Sequence, residues 1–179
     1  MMRRVGFCWL AGLMMIASPV AAEEPAQVTV KGLHLCCQGC SVFLGAGLKD
    51  IQGMSDLEID RKSRTANFSV SDKDVLKRAL QGIADVGMFG EVTFEGKPVD
   101  FPVEKIDADK KQTRVTFMEV HLCCPSCAKA VSKAFEDNSE VLSVDCDVTK
   151  RTVTLTGDDL DPAKLRASLH KAGFHGKLK

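Results

Sequence analysis

The seven-residue run His-Leu-Cys-Cys-x-x-Cys occurs at residues 34–40 and again at 121–127, offset by 87 positions. A chain that repeats a segment in this way is read as two copies of one unit, and each copy must close its own small core. The surroundings repeat too. Residues 28–33 and 115–120 alternate as strands leading into the cysteine run. After the last cysteine, Leu44, Gly47 and Leu48 in one copy, and Val131, Ala134 and Phe135 in the other, fall on one helical face.

Apolar alternation resumes at Met54, Leu57 and Ile59 and at Val141, Val144 and Cys146, each followed by a polar turn holding Arg64 or Arg151. A returning strand carries Ala66, Phe68 and Val70, matched by Val153 and Leu155. Ser71-Asp72 and Asp158-Asp159 are suited to capping a second helix. Its apolar positions are Leu76, Ala79, Leu80 and Ile83, or Leu165 and Leu169, and Gly87 or Gly173 ends it. A last strand reads across residues 90–94, whereas the second copy has only 174–179 for it. The order β-α-β-β-α-β predicts an α+β protein of two tandem ferredoxin-like βαββαβ domains, each an antiparallel sheet with two helices on one face. Their bounds are 26–95 and 113–179, joined by a partly extended linker at 96–112.

Residues 1–22 have a different character. Arg3 and Arg4 precede an apolar stretch, then Ser-Pro-Val-Ala-Ala and two glutamates, the pattern of a signal peptide cleaved after Ala22. The expectation is a periplasmic or secreted protein with no membrane span in its mature form. Cys8 leaves with the signal. Losing Arg3 and Arg4 from 24 basic residues against 24 acidic ones leaves the mature chain about two units negative, which excludes a nucleic-acid footprint. Cysteines 36, 37, 40, 123, 124, 127 and 146 remain, and an odd number in an exported chain does not pair internally throughout.

Two cysteines separated by two residues bring both sulfurs to one point where a loop enters a helix, and the helix N-terminus favours thiolate, the ligand of soft metals. Metal binding is therefore preferred. The alternatives are a thiol-disulfide oxidoreductase, or a ferredoxin-like interaction module with structural cysteines. No repeated Cys-His-Asp arrangement, phosphate loop or acid pair marks an enzyme.

On these residues the sequence resembles the heavy-metal-associated domain family, whose pattern runs Gly-Met-Thr/His-Cys-x-x-Cys. The resemblance places Leu35 and Leu122 at the buried methionine position, and matches Cys37, Cys40, Cys124 and Cys127 to the metal-binding pair. It implies a metallochaperone or scavenger for a soft ion: copper(I) first, then mercury(II), then zinc(II), about one per domain. A metal-transporting membrane protein or another metal-binding domain is the implied partner. The chain departs from the pattern at His34 and His121, where glycine is usual, and at Cys36 and Cys123, which add a third thiol per loop. The histidines are expected at the surface, Cys146 in the core, His175 at an exposed end, and Met88 and Phe174 as loop caps over the cysteines. A linker that folds back lets six thiols converge; an extended one leaves two independent sites.

Overall fold

The computed structural model describes residues 25–106 and 111–179. The signal-peptide segment and Cys8 lie outside the described residues. Each half builds the expected unit. In the first, β1 (Ala26–Lys31), α1 (Gln38–Leu48), β2 (Met54–Asp60), β3 (Thr65–Val70), α2 (Lys73–Asp85) and β4 (Glu91–Phe94) follow in order. A short β5 (Lys97–Val99) turns back on β4 at the start of the linker, giving the sheet order β2-β3-β1-β4-β5. In the second unit β6 (Gln112–Met118), α3 (Pro125–Lys133), β7 (Val141–Asp147), β8 (Thr152–Leu160), α4 (Pro162–Lys171) and a two-residue β9 (Lys177–Leu178) give β7-β8-β6-β9. All pairings are antiparallel. The two sheets share one strand order apart from β5.

The cores follow the alternation in the sequence. Val28 and Val30 of β1 meet Phe68 and Ala66 of β3 in register, and all four are buried beneath Leu44 and Leu48 of α1. Val115 and Phe117 pair with Leu155 and Val153, with Val131 and Phe135 above them. The step from Met54 to Leu57 is not a period of two. A bulge between Ser55 and Glu58, with Asp56 in left-handed backbone (φ 54°), absorbs the extra residue and keeps both apolar side chains on one face.

Asp72 caps α2 as expected, accepting from the backbone N–H of Asp74 and Val75 at 2.8 Å. The second cap differs from expectation. Strand β8 continues through Asp158 and Asp159 to Leu160, and Asp161 caps α4 by accepting from Ala163 and Lys164. Pro162, at the first turn of α4, fixes the helix start one residue beyond that cap. Among the described residues no helix is long and apolar enough to cross a membrane.

Candidate metal centre

Equivalent backbone features aim both cysteine loops. Gly32 (φ 78°) and Glu119 (φ 60°) turn the chain out of strands β1 and β6. The guanidinium of Arg64 donates to the carbonyls of Leu33 (2.9 Å) and Gly32 (3.0 Å), and Arg151 does the same to Val120 (3.3 Å) and Glu119 (3.0 Å). Both arginines sit in left-handed turns after β2 and β7. The sequence shows them as polar turn residues; their hold on the loop entry becomes visible when the hairpin is folded against it. Leu35 and Leu122 are buried, as the resemblance implied. Cys37 and Cys124 then occupy the N-cap positions of α1 and α3, with Cys40 and Cys127 buried in the first turns.

The two units dock through an internal pseudo-twofold. The Gly173 carbonyl accepts from the N–H groups of His34 and Phe89, both at 3.2 Å. In return, the Gly87 carbonyl accepts from His121 (3.2 Å) and His175 (2.9 Å). Gly87 (φ 81°) and Gly173 (φ 88°) end α2 and α4 in the expected left-handed conformation. They also permit the close approach: a Cβ on Gly173 would meet the Gly32 O and His34 N atoms, and one on Gly87 would meet Glu119 O and His121 N. Between them Met88 and Phe174, both fully buried, form an isolated antiparallel bridge. Phe89 stacks on His170 with ring centroids 3.9 Å apart, and from the linker Phe101 packs on Phe89. The Glu104 carbonyl accepts from Arg166, so the linker at Glu104 lies against the second unit.

This docking brings all six loop thiols together. Within the first loop the Cys40 sulfur lies 3.5 Å from Cys36 and 3.7 Å from Cys37. In the second, Cys127 lies 3.6 Å from Cys123 and 3.7 Å from Cys124. Contacts across the interface are equally short: Cys36 to Cys127 at 3.7 Å, Cys40 to Cys123 at 3.8 Å, and Cys37 to Cys123 at 3.9 Å. All six are free thiols. Sulfurs bound tetrahedrally to one ion at ~2.3 Å each lie roughly 3.8 Å apart, so the spacing suits a shared soft metal. Cys36 is exposed and borders a cleft that also includes Leu35, Arg64, Ala130 and Lys133.

The thiols are not equivalent in acidity. The facing Cys127 thiol lowers the Cys40 pKa to about 2, and the same interaction pushes Cys127 up. Cys124, helped first by the backbone of Cys127, comes down to about 7. Burial raises Cys36 to about 12 and raises Cys123 as well. A metal entering the cluster must therefore displace protons that Cys36, Cys123 and Cys127 hold more tightly than free thiols do.

His34 and His121 correct an expectation. They are 8% and 1% exposed rather than at the surface. His34 stacks on Phe174 of the other unit with ring centroids 4.2 Å apart, and His121 meets the edge of Phe43 at 5.3 Å. Burial lowers the His34 pKa to about 4, keeping the ring neutral. A ring nitrogen of His34 lies within 4.8 Å of the Cys36, Cys40 and Cys127 sulfurs, and His121 is similarly placed by Cys40, Cys123 and Cys127. His175 is also buried, at 2% exposure, because its N–H is drawn to Gly87 and its ring to His170. Cys146 is half-buried outside the cluster, its thiol directed at the Ala128 carbonyl at 3.8 Å.

Residues 116–175 match the model of the heavy-metal-associated domain. The second unit is a heavy-metal-associated domain. The first has the same order of elements and strand order with a second cysteine loop, so the chain carries two such folds in tandem. Over 76 residues, 42% of the chain, it is 38% identical to heavy metal-associated isoprenylated plant protein 34 of Arabidopsis thaliana. The chain covers 13% of that protein's length. Among solved structures, oxidized MerP from Ralstonia metallidurans CH34 is 25% identical, aligned over 39% of this chain and 99% of its own, with a TM-score of 0.34. The N-terminal soluble domains of Bacillus subtilis CopA are 18% identical, aligned over 87% of this chain and 95% of their own, with a TM-score of 0.33.

Proposed function

We propose that the chain is an exported binding protein for a soft heavy-metal ion, a metallochaperone or scavenger, with copper(I) its first cargo, mercury(II) the next and zinc(II) the third. The observation that carries this reading is the convergence of Cys36, Cys37, Cys40, Cys123, Cys124 and Cys127 at the starts of two helices, with neighbouring sulfurs 3.5 to 3.9 Å apart. Thiolate sulfur selects soft ions, and helix N-termini favour the thiolate form. Exposed Cys36 offers an entry point beside the cleft, where a partner's thiol can exchange the ion with the chain. That partner is a metal-transporting membrane protein or another metal-binding domain. The reading needs no catalytic step.

The test is anaerobic titration of the fully reduced protein with copper(I), mercury(II) and zinc(II) against competing chelators. Copper(I) is expected to be held tightly, and replacement of Cys37, Cys40, Cys124 and Cys127 by serine is expected to abolish its uptake. Undiminished uptake by that variant would overturn the reading. Export is tested separately by fractionation and the mass of the processed chain, which should begin at Glu23.

A further inference from the structure

We infer that the two cysteine loops form one centre: a shared thiolate cage that takes several copper(I) ions together and is closed at its ends by His34 and His121. This rests on the soft-metal reading above and replaces one ion per domain with a single polynuclear site. The first ground is spacing. A linear ion between two sulfurs at ~2.3 Å per bond needs them about 4.6 Å apart, whereas seven neighbouring pairs here lie at 3.5 to 3.9 Å, the range of three- or four-coordinate ions that share ligands. The second ground is that contacts of equal length run within each loop and across the interface, and that Cys124 lies within 4.8 Å of Cys36 and Cys37 of the other loop, so distance does not divide the sulfurs into two sites.

The third ground is the pair of histidines beside the sulfurs. Among the described residues, the Nε2 atoms of His34 and His121 are buried without a hydrogen-bond partner. A buried, unsatisfied ring nitrogen is unfavourable unless something satisfies it. Each ring also has a nitrogen, Nδ1 or Nε2, within 4.8 Å of three sulfurs drawn from both units, and imidazole suits copper. The departures at Cys36 and Cys123 also acquire a role, because both make sulfur contacts across the interface.

Six thiolates that each bridge two ions, with three bonds per ion, hold about four copper(I). Each thiol that becomes a bridging thiolate releases its proton to solvent, and copper enters and stays as copper(I), so no electron moves.

The test uses the mature, fully reduced full-length chain and copper(I) alone, counted by native mass spectrometry and examined by X-ray absorption. About four ions should fill together in a monomer, with copper–copper scattering in the spectrum. Cys124→Ser/Cys127→Ser should lose well over half of the capacity. His34→Gln/His121→Gln should remove the nitrogen contribution and weaken binding by about tenfold or more. Two ions bound without copper–copper scattering, with half the capacity kept by the cysteine variant, would overturn the shared cage and leave the soft-metal reading intact. An unchanged spectrum and affinity in the histidine variant would overturn the closing role of the histidines. Absence of any copper(I) uptake would overturn the cage and copper(I) as the first cargo, while leaving the binding of another soft ion to be read from the mercury(II) and zinc(II) titrations. The wild-type scattering is decisive even where a variant fails to fold.

Discussion

Replacing Gly173 by alanine separates the docking of the two units from the strain of their turns. Both Gly173 (φ 88°) and Gly96 (φ 75°) sit in left-handed backbone, where a Cβ costs about 1–2 kcal/mol. At Gly96 nothing lies within 4 Å of that new methyl group, so Gly96→Ala carries the strain alone. At Gly173 the methyl meets the backbone of Gly32 and His34, and the loops must part. Parting them removes the acceptor of two N–H groups, at ~1 kcal/mol each, and the His34–Phe174 stack, at ~1 kcal/mol. The excess over the Gly96 control is therefore about 3 kcal/mol. At ~2–4 °C per kcal/mol for a chain of this size, that is a further drop of roughly 6–12 °C in melting temperature. Thermal unfolding of the reduced, metal-free variants measures it, and small-angle X-ray scattering should show a larger radius of gyration for Gly173→Ala. Equal shifts in the two variants, to within ~0.5 kcal/mol and with unchanged scattering, would refute the account of the interface.

Other expected outcomes follow from single side chains. Asp161→Ala removes the acceptor for two N–H groups at the start of α4 and should destabilise the protein by about 1 kcal/mol in urea titration, whereas Asp159→Ala should not lose this cap. His170 is held neutral to about pH 3, first by burial and then by His175 and Arg166, against 6.5 in the unfolded chain. The unfolded state therefore binds the extra proton between pH 6.5 and 3, so stability should fall as pH drops through that window, and less steeply in His170→Gln. Urea midpoints at pH 7 and 4.5 check the sign. Cys146→Ala should leave copper(I) uptake unchanged, since its thiol contacts Ala128 rather than the cluster; a loss of one bound ion in the titration would contradict this placement.

The architecture was legible because the repeat exposes the same alternation twice, and Gly87 and Gly173 mark helix ends that no other residue fills as cheaply. The placement of Cys37, Cys40, Cys124 and Cys127 at helix starts was legible for the same reason, because their spacing is local to a helix turn. His34 and His121 were not. Strand alternation would place each opposite the buried leucine that follows, but the left-handed residues Gly32 and Glu119 break that alternation just before the loop. Their cover comes from the other unit, and no periodicity within one unit reports a surface that is buried by its neighbour. His175 was misread for that reason as well. The second cap was displaced from Asp158-Asp159 to Asp161 because the pairing of β8 holds through Leu160, again a tertiary preference over a local one.

The reciprocal seating of the Gly87 and Gly173 carbonyls has a kinetic meaning as well as a geometric one. Two separate chains presenting the same loops would meet at a frequency set by their abundance, and dilution outside a cell would pull them apart. Here the second loop is tethered to the first by a short connector, which gives it an effective concentration on the order of millimolar whatever the amount of protein. Assembly of the thiol cluster is thereby first order, and its readiness to capture an ion does not depend on expression level.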